Sequence, residues 1–366
     1  MTAAKTVMIA GGGTGGHLMP ALAIAEALRA RHPAWRIVLV GATRGVEARL
    51  LPERTFPFHL LPFEPIYRHQ WWKNLRWPAL AVRLIRQVGQ LLDRERPDLV
   101  FGTGGYASGP VVWAAARRGL PTAMLEQDAY PGLVTRWLAP RVREVYLGAP
   151  EAAAALKPGP HTRVVFTGSP IVPPTFERRT AALASLGVPP GRPVVVVMGG
   201  SQGSLAINRM IADWVQQGGA RGLTLLWAAG KATFEDFRHL HAPPHLQVVE
   251  FLDPVADAYS VADLVVCRAG MMTIAEVAAW GLPSILIPLP TAAADHQTKN
   301  ATAMAGAGAA VMLRQAELDP TTLGRAITDL LGDRFRLDRM AAAARQRGRP
   351  GAAAEIVESL ERLLAS

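Results

Sequence analysis

"VMIAGGGTGGHLMP", residues 7–20, decides how the chain is read. An apolar run enters Gly11, Gly12, Gly13, Gly15 and Gly16, and a helical pattern follows. Strand, glycine turn and helix together open a parallel α/β sheet. Gly11, Gly13 and Gly16 also satisfy G-x-G-x-x-G. A dinucleotide site needs one thing more, an acidic residue at the end of the second strand, about 20 residues on. That strand reads "RIVLVGATRG" and ends without a carboxylate; the nearest, Glu47, already belongs to the next helix. This argues against NAD. The lack of a following Gly-Lys-Ser/Thr excludes a Walker A loop. What remains is a helix amino terminus whose N–H groups and dipole suit a phosphate or diphosphate. So many glycines lose much conformational entropy on folding, and close approach by a ligand accounts for them better than a bare turn.

The pattern repeats along the chain. Strand-like runs at residues 5–10, 36–41, 98–102, 121–125 and 143–147 alternate with helical segments such as 18–30 and 79–94. A proline-rich stretch, "GSPIVPPTFERRTAALASLGVPPGRP", then opens no strand. After it "PVVVVMGGSQGSLAINRMIADWV" repeats the opening layout, and strand-like runs follow at 223–228, 246–251, 262–267, 284–287 and 310–313. A third glycine segment, "FGTGGYASGPVVWAAA", also leaves a strand and enters a helix. The reading is an α/β chain of two Rossmann-like domains, their parallel sheets facing a central cleft. The expected bounds are 1–160 for the first domain, 161–192 for a linker, 193–345 for the second domain and 346–366 for a terminal helix. Three phosphate-competent turns suggest two phosphorylated ligands.

Composition narrows the class. Hydrophobic residues make up 50% of the 366 and charged residues 19%, which suits packed globular domains. Cys267 is the single cysteine, so no intrachain disulfide can form, as suits a reducing compartment. Two uncharged stretches, 99–116 and 277–294, are interrupted by glycines or prolines and read as non-spanning. The chain is therefore expected to be soluble or peripheral. The formal net charge of +10 favours an anionic partner. No metal-ligand cluster stands out, and neither a metal nor a cofactor is expected.

"GGTGGH", "TGGYASGP", "LEQD", "GGSQGS" and "VVCRAGMMTIAEVAAWGLPSILIPLPTAAADHQTKNA", in this order and spacing, resemble the MurG family of bacterial glycosyltransferases over nearly the whole chain. The resemblance implies a GT-B fold and inverting β-1,4 transfer of N-acetylglucosamine from UDP-N-acetylglucosamine to lipid I, giving lipid II in peptidoglycan synthesis. It places the enzyme peripherally on the cytoplasmic face of the bacterial membrane, with anionic inner-membrane lipids and other cell-wall proteins as partners and no nucleic acid. On the donor side it implies Glu276 on the ribose, backbone amides of Met271, Met272, Thr273, Ile274 and Ala275 on the diphosphate, Ser201 on a phosphate, Leu252 at uracil and Gln297 on sugar hydroxyls. On the acceptor side it implies Thr14, Gly15, Gly16, Gly104 and Gly105. His17 and Glu126 are the base candidates. The chain departs from the family where Asp128 replaces a usual asparagine, where Ser169 stands in "GSP" for Gly-Asn-Pro, and at Val172, where arginine is common.

"YRHQWWKNLRWPALAVRLIRQ" interleaves Trp71, Trp72 and Trp77 with Lys73, Arg76 and other cations, and has no acidic residue. Indoles with cations suit a lipid interface, and no RNA-binding signature accompanies them. Two other readings share the donor half: a GT-B enzyme with a different acceptor, and a nucleotide-sugar binder without activity.

Overall fold

Val7 and Ile9 point to one face of the first strand and Met8 and Ala10 to the other, and all four are fully buried. A strand buried on both faces belongs inside a helix-covered parallel sheet, which is why it reads as a continuous apolar run. The computed structural model describes residues 4–13, 15–63, 77–175, 179–200 and 202–365, with backbone only at 77–79. Thr14, Trp71, Trp72, Lys73, Arg76 and Ser201 lie outside the described residues, as does the side chain of Trp77.

The chain divides into two units, Met1–Val172 with Pro350–Ser366, and Pro173–Arg349. In the first, the order is β1 (Thr6–Ala10), α1 (Gly15–Arg31), β2 (Arg36–Ala42), α2 (Glu47–Leu50), β3 (Phe58–Leu61), α3 (Trp77–Glu95), β4 (Leu99–Gly102), α4 (Gly105–Arg117), β5 (Thr122–Glu126), α5 (Leu133–Leu138), β6 (Glu144–Leu147) and β7 (Arg163–Phe166). In the second it is α6 (Arg179–Ser185), β8 (Val194–Met198), α7 (Leu205–Gln216), β9 (Thr224–Ala228), α8 (Phe234–Phe237), β10 (Leu246–Val249), α9 (Val255–Val261), β11 (Leu264–Cys267), α10 (Met271–Trp280), β12 (Ser284–Leu286), α11 (His296–Gly306), β13 (Ala310–Met312), α12 (Pro320–Gly332) and α13 (Arg334–Arg347). The last helix, α14 (Ala352–Ala365), belongs to the first unit.

The sheets run β3-β2-β1-β4-β5-β6-β7 and β10-β9-β8-β11-β12-β13, and every named pairing is parallel. In each, the order reverses beside the first strand, between β1 and β4 and between β8 and β11. Ligands of open α/β sheets bind outside the carboxyl ends of strands at such reversals. The glycine turns after β1, β4 and β8 lie at such strand ends. Two edge strands, β3 and β7, were not expected. They are short and half-buried, so neither shows the fully apolar run of an inner strand. Arg163–Phe166 also falls inside the stretch expected to be linker.

In the first unit the sheet faces carry separate cores. Val7, Ile9, Leu39, Phe101 and Leu125 pack with α1 and with Ile356, Val357 and Leu360 of α14. Met8, Val40, Val100 and Met124 pack with Val88 and Leu92 of α3 and Val111 of α4. A buried polar knot pins α14 to the sheet. The Glu144 carboxylate accepts from the Tyr146 hydroxyl at 2.6 Å and from the Ser359 hydroxyl at 2.5 Å. Such a group is tolerable inside because its oxygens are hydrogen-bonded.

Candidate functional site

Around the first turn, backbone groups are spoken for to an unexpected degree. Gly11 N–H donates to the Val40 carbonyl at 3.1 Å, which continues the β1–β2 ladder. Gly13 N–H donates to Oε1 of Glu47 at 2.7 Å. These two amides, which precede the residues expected at the acceptor, already have acceptors within the protein. Past them, Gly15 and Gly16 are exposed at the start of α1, where helix geometry leaves the first amides without an intrahelical partner.

The turn after β4 interlocks with the first. Thr103 Oγ1 donates to the His17 carbonyl at 2.8 Å, and the Thr103 carbonyl lies 3.1 Å from His17 Nδ1. Nδ1 is therefore the held nitrogen: it can donate to that carbonyl or accept from Gln127 Nε2 at 3.2 Å. Gln127 Nε2 donates to the same carbonyl at 3.2 Å. Gly104 and Gly105, with φ of 88° and 74°, must be glycines for a second reason besides backbone. A Cβ on Gly104 would lie 2.8 Å from His17 Nδ1, and one on Gly105 would lie 2.2 Å from the Gly12 carbonyl oxygen.

Glu126 ends β5 and is 6% exposed. Its oxygens accept from the N–H groups of Asp128 at 3.1 Å and Gly132 at 2.9 Å. Burial pushes its carboxyl up to about 7, against the hydrogen bond from Thr135. Glu126 thus shapes the loop that carries Asp128. Ser169 is buried, and among the described residues its hydroxyl has no hydrogen-bond partner, whereas Val172 is 83% exposed.

In the second unit the centre is the amino terminus of α10. Gly270 caps it with no side-chain hydrogen bond, and its first turn has no acidic residue. Ile274 N–H donates to the Gly270 carbonyl at 3.0 Å and is spent inside the helix. The amides suited to an anion are therefore those of Met271, Met272 and Thr273, a narrower set than the expected run through Ile274 and Ala275. Glu276 is half-buried, and its Oε2 accepts from the Tyr259 hydroxyl at 2.9 Å. Burial raises its carboxyl above the ordinary range. Gln297, near the start of α11, accepts the Leu289 N–H through Oε1 at 3.0 Å. Leu252 lies in the loop beyond β10, half-buried.

Two residues missed from sequence build this half. Arg268, 9% exposed, donates to the carbonyls of Ile287 and Pro288, to Ser204 Oγ and to Gln315 Oε1. Its signal was a lone cation between an apolar strand and a helix start. Asn208 donates to the Ala229 carbonyl and Thr233 Oγ1, both at 2.8 Å, and accepts from Trp227 Nε1 at 2.9 Å. An asparagine on the buried face of an amphipathic helix was the available sign. Among the described residues, no group of three or more His, Cys, Asp or Glu side chains could hold a metal ion.

Comparison with known proteins agrees with this arrangement. The family model for the glycosyltransferase family 28 N-terminal domain matches residues 7–147, and that for its C-terminal domain matches 194–356. A UDP-N-acetylglucosamine--N-acetylmuramyl-(pentapeptide) pyrophosphoryl-undecaprenol N-acetylglucosamine transferase of Salinibacter ruber is 40% identical, over 98% of this chain and 97% of its own. The protein of the same name from Carboxydothermus hydrogenoformans is 38% identical over the same shares. The crystal structure of Acinetobacter baumannii MurG superposes with a TM-score of 0.78 at 28% identity, covering 98% of this chain and all of that one.

Glu126 makes stability depend on pH. The unfolded chain releases its proton near 4.5 and the folded protein holds it to about 7. Between those values the folded state binds more protons, so this group's contribution to stability falls as pH rises. Glu276, raised in the same direction, adds to the slope. Melting temperatures of Glu126→Gln are expected to fall less than those of the parent between about pH 5 and about pH 7; an equally steep fall in both would contradict the assignment.

Proposed function

The chain belongs to glycosyltransferase family 28, and on that premise we propose how its residues move N-acetylglucosamine from UDP-N-acetylglucosamine to N-acetylmuramyl-(pentapeptide) pyrophosphoryl-undecaprenol. It is a hexosyltransferase with the GT-B fold, of the kind that makes the lipid-linked disaccharide of peptidoglycan. The second unit takes the donor. The observation that carries this reading is the bare amino terminus of α10, followed on the same helix by Glu276. The amides of Met271, Met272 and Thr273 receive the diphosphate, and Ser201 adds a hydroxyl. Glu276, oriented by Tyr259, accepts from the vicinal ribose hydroxyls, since one carboxylate has acceptor sites for both. Gln297 keeps its amide N–H groups for the sugar, and Leu252 offers backbone to uracil.

The first unit takes the acceptor. The loop of Thr14, Gly15 and Gly16 and the turn of Gly104 and Gly105 hold its diphosphate, with Asp128 close to the sugar-binding end of β5. His17 is the base we favour. Its imidazole is held through Nδ1 by the Thr103 carbonyl and Gln127 at the start of α1, whereas both oxygens of Glu126 are engaged by the loop it shapes. His17 removes the proton of the acceptor C4 hydroxyl as that oxygen attacks C1 from the face opposite UDP, and the configuration inverts. Negative charge developing on UDP is met by the α10 amides, preorganised donors that need no rearrangement during reaction.

Transfer is followed as UDP released from UDP-N-acetylglucosamine with and without a short-chain lipid-linked acceptor analogue. His17→Ala is expected to lower kcat by about 100-fold or more and to leave the donor KM unchanged. Glu276→Ala is expected to raise the donor KM by roughly tenfold or more, as loss of hydrogen bonds to a charged acceptor implies. A donor KM unmoved in Glu276→Ala would overturn the ribose assignment.

The polyprenyl-linked acceptor calls for a membrane surface, and the protein is proposed to bind the cytoplasmic face of the bacterial membrane through the tryptophan-rich segment. No described helix is long and apolar enough to cross a membrane. Helix α3 supports attachment from the surface, because it exposes Val82 and Ile85 beside Arg83 and Arg86. Apolar groups flanked by cations suit an anionic interface. Changing Trp71, Trp72 and Trp77 together to Ser is expected to abolish sedimentation with anionic vesicles, and undiminished sedimentation would contradict the reading.

A further inference from the structure

Glu47 is the first residue of α2 and has no exposed surface. Its Oε1 accepts two backbone donors, Gly13 N–H at 2.7 Å and Ala42 N–H at 2.9 Å, and so ties the turn after β1 to the end of β2. Its Oε2 is buried and has no hydrogen-bond partner among the described residues. The surroundings are cut to admit the carboxylate. A Cβ on Gly12 would lie 2.2 Å from Oε1, one on Gly45 would lie 2.3 Å from Oε2, and one on Gly41 would lie 2.6 Å from Glu47 Cγ. Three glycines thus clear space for one acidic side chain.

In a glycine turn of the dinucleotide type, the second glycine lets the backbone approach a pyrophosphate. Here the N–H of that glycine meets an internal carboxylate instead. We propose that Glu47 is a positioning residue of the acceptor side: it occupies, from within, the place such a turn offers to a phosphate, and it fixes the backbone that leads into His17. Two N–H donors converge on one oxygen, and without it both would be left unsatisfied inside the protein. These hydrogen bonds hold Gly12 and Gly13, at φ of 150° and 93°, against the conformational freedom of so many adjacent glycines. The same carboxylate keeps this part of the turn closed to nucleotide phosphates, so anion binding is confined to the exposed Gly15–Gly16 end.

The inference rests on the proposed role of the His17 loop, and the test separates the two. Glu47→Ala removes the acceptor from both amides. It is expected to lower kcat for transfer by about 100-fold, the scale of a misplaced reacting group, with donor KM unchanged. Glu47→Gln keeps an acceptor oxygen and is expected to restore most of that loss. Gly45→Ala pushes a methyl group against the carboxylate. It should lower kcat in the native background and have no added effect in Glu47→Ala, a coupling that general loss of folded protein does not produce. Cooperative melting of each variant above the assay temperature establishes that the rates belong to folded enzyme. Native kcat in Glu47→Ala, Gln no better than Ala, or additive losses in the double variant would each overturn the proposal. If His17→Ala retains native kcat, the loop's role falls instead.

Discussion

Every buried backbone N–H in this fold needs an acceptor, and the strand–turn–helix junctions are where acceptors run short. In both units such junctions lie where the strand order reverses. The two halves meet this shortage differently. After β1, a carboxylate from α2 enters the turn and takes Gly13 N–H. At α10, the cap residue Gly270 makes no side-chain hydrogen bond. The Gly13 amide is satisfied by the protein itself, and the start of α10 retains its capacity for an anion.

The rest of each site follows from holding these junctions still. Thr103 ties the β4 turn to His17 through both its hydroxyl and its carbonyl, which orients the imidazole. Arg268 carries a buried cation into the strand end just before α10, where four oxygen acceptors stabilise it without a carboxylate. An ion so placed would be costly unpaired; hydrogen-bonded, it fixes the loops after β12 and β13 and the cap of α7 together. Asn208 does similar work between α7 and β9. Thr103 and Arg268 thus place buried polar groups just past the carboxyl ends of β4 and β11, beneath the places proposed to meet substrate.

Much of this was legible in the sequence, because inner parallel strands are continuous apolar runs and glycine turns punctuate them. Val7, Met8, Ile9 and Ala10 announced a doubly covered strand, and the repeat at residues 194–198 announced the second sheet. The edge strands escaped because "FHLL" and "RVVF" are only four residues long and each is interrupted or opened by a polar residue. Site residues can be proposed from sequence where chemistry comes from the side chain, as with Glu276. They cannot where it comes from contact across distant positions. Nothing local to Glu47 says that it fills a turn 34 residues earlier in the chain. Read as lying in the next helix, it was dismissed as a ribose ligand, and the same short helix aims it back at the glycines.

The central claim is that the amides of the turn after β1 and those at the start of α10 differ in what they accept. Hydrogen–deuterium exchange of the full chain, with and without saturating UDP, tests it most directly. The account predicts slowed exchange in peptides covering residues 270–276 and no change at 10–14. Protection of 10–14 with none at 270–276 would contradict it.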